Sequence, residues 1–155
     1  MDNFISLEII WQDDDLIEIQ ASSSSGKFFG VTEVYTNYED LDALANALVG
    51  FPHSVDERVE FNAGAKDGYS FVSISFYCFS NSGHTAALVD LEANIAQNQR
   101  KNEKHKVTME VQFEAQAIDS FQKQISSLIR NKAGKALLSG IKPCTQNILK
   151  GGICA

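Results

Sequence analysis

The feature that most constrains this chain is a strand that runs without pause into a helix. Val107, Met109, Val111 and Phe113 alternate with Lys106, Thr108, Glu110, Gln112 and Glu114. A period of two marks a strand with one dry face and one wet face. The period then changes, and Ile118, Phe121, Ile125, Leu128 and Ile129 follow at helical spacing as one apolar stripe. The same unit stands 77 positions earlier, where Glu33 and Val34 align with Glu110 and Val111. Leu41, Asp42, Leu44 and Leu48 align in the same way with Ile118, Asp119, Phe121 and Ile125. A chain so built has two strand-rich halves, each closed by one amphipathic helix.

The rest of the first half fits that plan. Phe4 to Trp11 reads as a strand with Ile5, Leu7, Ile9 and Trp11 on one face, and Leu16 to Ala21 as its hairpin partner with Ile17, Ile19 and Ala21 inward. Asp13 and Asp14 supply the turn, because Asp tolerates positive φ and hydrogen-bonds its own backbone. Ser22-Ser23-Ser24-Ser25-Gly26 reads as a flexible polar loop. Lys27 to Tyr35 is a third strand, with Gly30 marking a bulge. Thr36-Asn37-Tyr38-Glu39 matches a capping box with Thr36 as N-cap. Leu41, Leu44, Ala45, Leu48 and Val49 form the buried stripe of the helix, with Gly50 and Pro52 ending it.

The second half opens with a short strand over Arg58 to Asn62. The long apolar strand from Tyr69 to Phe79 carries Val72, Ile74, Phe76 and Cys78 on one face and Tyr69, Phe71, Ser73, Ser75, Tyr77 and Phe79 on the other. His84 to Glu92 returns, and a polar connection leads into the organising strand. After the second helix, Ala136 to Ile141 reads as a short strand or a last helical turn. The fold class expected is α+β: an antiparallel sheet of about seven strands with both helices on one face, in the order βββα-ββββα and with weak internal duplication. Residues 1–142 form one domain, and 143–155 a loosely held tail.

At 155 residues and 44% hydrophobic content the chain can bury a core without staples. Apolar runs fall far short of the roughly 20 residues that span a bilayer, and the first residues carry no basic, apolar leader. Three widely spaced cysteines (Cys78, Cys144 and Cys154) suit a reducing, cytoplasmic setting better than a disulfide framework. The net charge of −7 argues against nucleic acid and anionic membrane as partners and suits a basic protein partner.

Motifs for chemistry are sparse. Asp13-Asp14-Asp15 lacks the alternating ligands, glycine and distal Glu of a calcium loop, so it reads as a solvated acidic hairpin tip. Gly26-Lys27 and Gly134-Lys135 lack the remaining residues of a phosphate loop. His53, His84 and His105 have no His or Cys at zinc spacing. Cys78 reads as a small buried hydrophobe, and no Gly-x-Ser-x-Gly elbow is present. The basic run Arg100, Lys101, Lys104 and Lys106 has no interleaved aromatic for base stacking. These readings give no catalytic residues, no metal ligands and no cofactor. They leave the second face of the long strand, where Tyr69, Phe71, Tyr77 and Phe79 stand at even spacing, as the surface that protein interfaces enrich.

The pattern Trp11-Gln12-Asp13-Asp14-Asp15-Leu16, then Phe29-Gly30-Val31-Thr32-Glu33-Val34-Tyr35, then the helix and Gly50-Phe51-Pro52, resembles a family of small bacterial proteins of unknown function. The resemblance extends loosely to Val111–Leu128, covers roughly residues 8 to 130, and departs after Pro143. It implies a bacterial origin and a single compact domain, and it supplies no catalytic residues. The function expected is a non-enzymatic protein-binding module, an immunity-type antagonist of a basic toxin domain. Its partner would be held by Tyr69, Phe71, Tyr77 and Phe79 and steered by Asp13, Asp14 and Asp15. A small-ligand binder or enzyme with a pocket between sheet and helices, using His84 or Asp90, is one alternative. A homodimeric structural protein joined through an open sheet face or edge is the other.

Overall fold

The computed structural model describes residues 2–94 and 100–142. The protein is α+β, with eight antiparallel strands and two helices. The chain forms β1 (Asn3–Gln12), β2 (Ile17–Ser25), β3 (Phe29–Thr36), α1 (Tyr38–Leu48) and β4 (Arg58–Gly64). It continues with β5 (Ser70–Cys78), β6 (Thr85–Ala93), β7 (Lys106–Phe113), α2 (Ala115–Asn131) and β8 (Lys135–Ser139). The strands divide between two four-stranded sheets rather than entering one sheet of seven. The first has the order β3-β2-β1-β8 and the second β4-β5-β6-β7.

The duplication explains this division. β3 and β7 begin 77 residues apart, as do α1 and α2, and so do β4 and β8. Each helix leaves the edge strand of one sheet and delivers the next strand to the edge of the other. β4, expected to open the second half, is placed by the 77-residue offset at the end of the first and pairs with β5, and β8, at the end of the second half, pairs with β1. The halves thus exchange their last strands, and neither sheet is complete without the other. Periodicity reveals strands, but the pairing of β8 with a strand more than a hundred residues earlier leaves no local trace.

β3 runs across the second sheet and touches all four of its strands, so the two layers cross steeply. Their inner faces share one core with the helices. Ile5, Leu7, Ile17 and Ile19 meet Val72, Ile74, Phe76, Val111 and Phe113. α1 adds Leu41, Leu44, Ala45 and Leu48, and α2 adds Ile118, Phe121, Ile125 and Leu128. The helices pack on one another, α1 also on β4 and α2 on β8. Gly30 does not mark a bulge, since β2 and β3 keep one register throughout. It marks the closest approach of the sheets: a Cβ there would stand 2.5 Å from Val107 Cγ1 and 3.0 Å from Leu91 Cδ1. Val107 is itself the residue 77 positions on from Gly30, so the two halves meet at equivalent points, small against large.

Several local expectations are corrected. A register shift between Ile9 and Trp11 turns Trp11 off the core face, and it is 47% exposed. Ser22–Ser25 is not a loop but the end of β2. Its hydroxyls find near partners: Ser22 pairs with Ser6 at 2.5 Å, Ser23 donates to the Phe4 carbonyl at 2.9 Å, and Ser24 accepts from Gly26 N–H. Satisfied in this way, small polar side chains can be buried in a strand. The cap of α1 is Asn37, whose Oδ1 accepts from Asp40 N–H at 2.8 Å, while Thr36 stays in β3 opposite Ile17. Val49 lies past the helix and is exposed. Gly50 adopts φ +70°, as the end of a helix favours. Cys78 lies at the end of β5, half-buried rather than within the core. The segment expected to be a loose tail, 143–155, lies outside the described residues, as do Cys144 and Cys154.

Candidate interaction surface

Of the expected aromatic set, Phe71 and Tyr77 stand on the outer face of the second sheet, and Tyr69 and Phe79 flank the ends of β5. Tyr69 precedes β5 and is 71% exposed. Phe79 follows β5, is about half exposed, and stacks on His84 at 5.8 Å between ring centroids. Phe71 and Tyr77 are half-buried. Tyr77 donates to Glu110 Oε2 at 2.5 Å, and the Arg58 guanidinium sits 5.1 Å from its ring centre. Burial and the neighbouring carboxylate hold the phenol protonated, with its pKa pushed up to about 12. Tyr77 is therefore committed within the chain.

The three aspartates are not on this face. They form the tip of the β1–β2 hairpin in the first sheet, all exposed. Asp13 Oδ1 accepts from the N–H groups of Leu16 and Asp15, and those bonds hold its carboxyl below the usual range. The aromatic and acidic sets, expected to act together, are thus on different sheets. Among the described residues, no group of three His, Cys, Asp or Glu stands close enough to hold a metal ion, and no helix is long and apolar enough to cross a membrane. Of the basic run, Lys106 pairs with Asp67 and with the buried carboxylate of Glu92, and Arg100 with Glu103.

His84 and Asp90 do not meet in a pocket between sheet and helices. His84 Nδ1 pairs with Ser80 Oγ at 2.7 Å, and Asp90 accepts from Thr108 on the outer face of the second sheet. A groove of about 500 Å³ runs between α2 and β8, and one of about 450 Å³ between α1 and β4. Gln124 caps the first, its Oε1 accepting from the Leu137 N–H on the edge of β8. The two grooves are the same place in the two halves, since Asp40, Ala43 and Ala47 of one lie 77 positions before Ala117, Ser120 and Gln124 of the other.

The surface that sequence patterning does not single out is the outer face of the first sheet with its edge strand β3. Ser25 N–H bonds the Phe28 carbonyl at the β2–β3 turn. Antiparallel alternation then turns the backbone groups of Gly30, Thr32 and Val34 toward β2, and those of Phe29, Val31, Glu33 and Tyr35 away from it. No backbone group of those four has a partner on the free side among the described residues. Their side chains lie on the outer face, with Phe29 52% and Tyr35 59% exposed. Phe4 tilts against Phe29 at 6.3 Å, and Trp11 meets Tyr35 edge-on at 6.1 Å, so each end of the edge carries an aromatic pair.

The duplication provides an internal comparison. The equivalent edge, β7, turns Lys106, Thr108, Glu110 and Gln112 outward at the positions of Phe29, Val31, Glu33 and Tyr35. Two of these are charged, two are polar, and the Gln112 carbonyl is already bonded to Ile141 N–H at 2.8 Å. One edge is defended as isolated edges usually are, and its twin is left apolar. The signal in the sequence is alternation over Phe29–Tyr35 with apolar residues at both phases, but only pairing identifies β3 as an edge. No protein-family model, curated protein or solved structure matches this chain, so the surface is read from its own chemistry.

Proposed function

We propose that this protein is a non-enzymatic protein-binding module whose main contact is the free edge of β3 with the aromatic outer face of the first sheet. The contrast between β3 and its polar twin β7 carries this reading. Two strands of one duplicated unit face the same sheet-edge problem, and one keeps four outward residues of which three are apolar. A row of unpaired backbone groups gives affinity by strand addition, and flanking aromatics bury large area with few torsions to freeze. The charge of −7 and the exposed Asp13–Asp15 tip suit a basic partner and would act mainly on encounter rate.

The finer reading is an antagonist of a basic bacterial toxin domain, acting in the cytoplasm, where the free thiol of Cys78 would stay reduced. Tyr69 and Phe79 remain a second contact, because both rings are exposed at the two ends of β5. The test is surface-binding kinetics of the full chain against the products of the genes beside its own. Val31→Lys should weaken a specific complex about tenfold or more, while Thr108→Lys, at the equivalent position of β7, leaves it unchanged. Equal behaviour of the two variants, or chemical conversion of a small molecule by the protein, would overturn the proposal.

A further inference from the structure

We infer that the strand added to the β3 edge is β3 of a second copy of this chain, giving a two-fold dimer with one continuous eight-stranded sheet. This rests on the proposed binding role of that edge and names its occupant; a basic partner would then meet the dimer at the exposed rings of Tyr69 and Phe79 rather than at β3.

Register selects the pairing. A two-fold axis pairs residue i with j at a constant sum, and only outward-facing backbone groups can bond across the edge. Three sums fit β3. Centring the axis on Glu33 sets that carboxylate against its own copy, and centring it on Val31 leaves one end of each strand unpaired. Centring it on Thr32 uses the whole strand. Phe29 then faces Tyr35 of the second copy, Val31 faces Glu33 of the second copy, and each outward residue donates and accepts one backbone bond.

Side-chain chemistry agrees with that register. The Phe4–Phe29 pair of one copy meets the Trp11–Tyr35 pair of the other, once at each end, so the exposed rings of Phe29, Tyr35 and Trp11 gather with the half-buried Phe4. Lys27 lies just before Phe29, and the pairing carries it toward the end of the other copy's β3, beside which stand Glu18 and the Asp13–Asp15 tip. That meeting of opposite charge occurs twice by symmetry. Two elements oppose the pairing: Glu33, diagonal to its own copy across the axis, and the like net charge of −7 on each copy. A heterologous partner offers none of this built-in complementarity, and the β7 edge, with Lys106 and Glu110 turned outward, offers no aromatic match.

The test is sedimentation velocity of the full chain from about 1 to about 100 μM, with far-UV circular dichroism to confirm that each variant is folded. The expected result is a concentration-dependent dimer. Val31→Lys should weaken it at least about tenfold, Tyr35→Ser should weaken it, Thr108→Lys should leave it unchanged, and Glu33→Gln should tighten it. Amides of Phe29, Val31, Glu33 and Tyr35 should exchange more slowly as protein concentration rises. A wild-type monomer throughout this range overturns the inference, as does a dimer that Val31→Lys leaves intact. If the monomeric protein still loses a heterologous partner on Val31→Lys, the binding role of the edge stands and only its occupant is wrong.

Discussion

Replacing Gly30 with Ala should destabilise the fold even though alanine is the better residue in most extended backbone. Gly30 is not among the glycines with positive φ, so its backbone accepts a Cβ. In an open strand the change would gain about 0.4–1 kcal/mol by narrowing the unfolded ensemble. Here the added carbon falls 2.5 Å from Val107 Cγ1 and 3.0 Å from Leu91 Cδ1, inside the distance that carbon atoms tolerate. Overpacking of this kind costs about 1–3 kcal/mol, because neighbours must leave their rotamers or the sheets must separate. The net expectation is a loss of about 1 kcal/mol.

Val107→Ala alone removes two methyl groups from a half-buried site and should cost about 1 kcal/mol by area. Combining the two should cost less than their sum by about 1 kcal/mol or more, since the new Cβ then occupies the space that Val107 Cγ1 vacated. Urea unfolding followed by circular dichroism at fixed protein concentration is the assay. With a slope of about 2 kcal/mol/M, the single change moves the midpoint down by about 0.5 M. A midpoint that rises for Gly30→Ala, or strict additivity in the double variant, would refute the claim that the two halves meet in contact at these equivalent positions.

Two further expectations concern the core and the outer face of the second sheet. Phe121 is fully buried and packs near Phe76 at 6.3 Å, so Phe121→Ala should cost about 3–5 kcal/mol in the same urea assay, and a loss below about 1 kcal/mol would place the ring outside the shared core. Tyr77 keeps its proton in the fold to about pH 12, so its contribution to stability is full below the ordinary phenol pKa of about 10 and is lost as pH rises through about 12. Ultraviolet titration should show a late phenol step that Tyr77→Phe abolishes, and an unchanged titration curve would deny the bond to Glu110.

Within a single element, the role of each residue is largely legible in the sequence. The stripes Leu41, Leu44, Leu48 and Ile118, Phe121, Ile125 and the alternation of Met109 to Phe113 name buried residues correctly, because a helix or strand repeats its own period and needs no partner to do so. Trp11 departs from its expected face because one inserted residue in a strand reverses its faces, and nothing in a run of apolar residues announces the insertion. The serines of β2 depart from the expected loop because burial of a hydroxyl depends on acceptors supplied by β1 and by the turn, not on the serine itself. Tyr77 is not the open ring that alternation implies, because its commitment to Glu110 reaches from one strand of the sheet to another.

The amino-acid sequence by itself determined the order and polarity of the local elements, the approximate ends of α1, and the existence of a unit repeated at 77 residues. These follow from torsion preferences and from periods of two and 3.6, which act between residues close along the chain. Tertiary structure alone decided that the strands divide into two sheets, that β4 and β8 change places between the halves, and that β3 ends as an apolar edge while β7 ends as a polar one. Those outcomes depend on which distant strands share hydrogen bonds, and backbone hydrogen bonds are nearly the same for every residue type. Pairing is therefore chosen by the summed fit of the core, which no stretch of sequence carries alone.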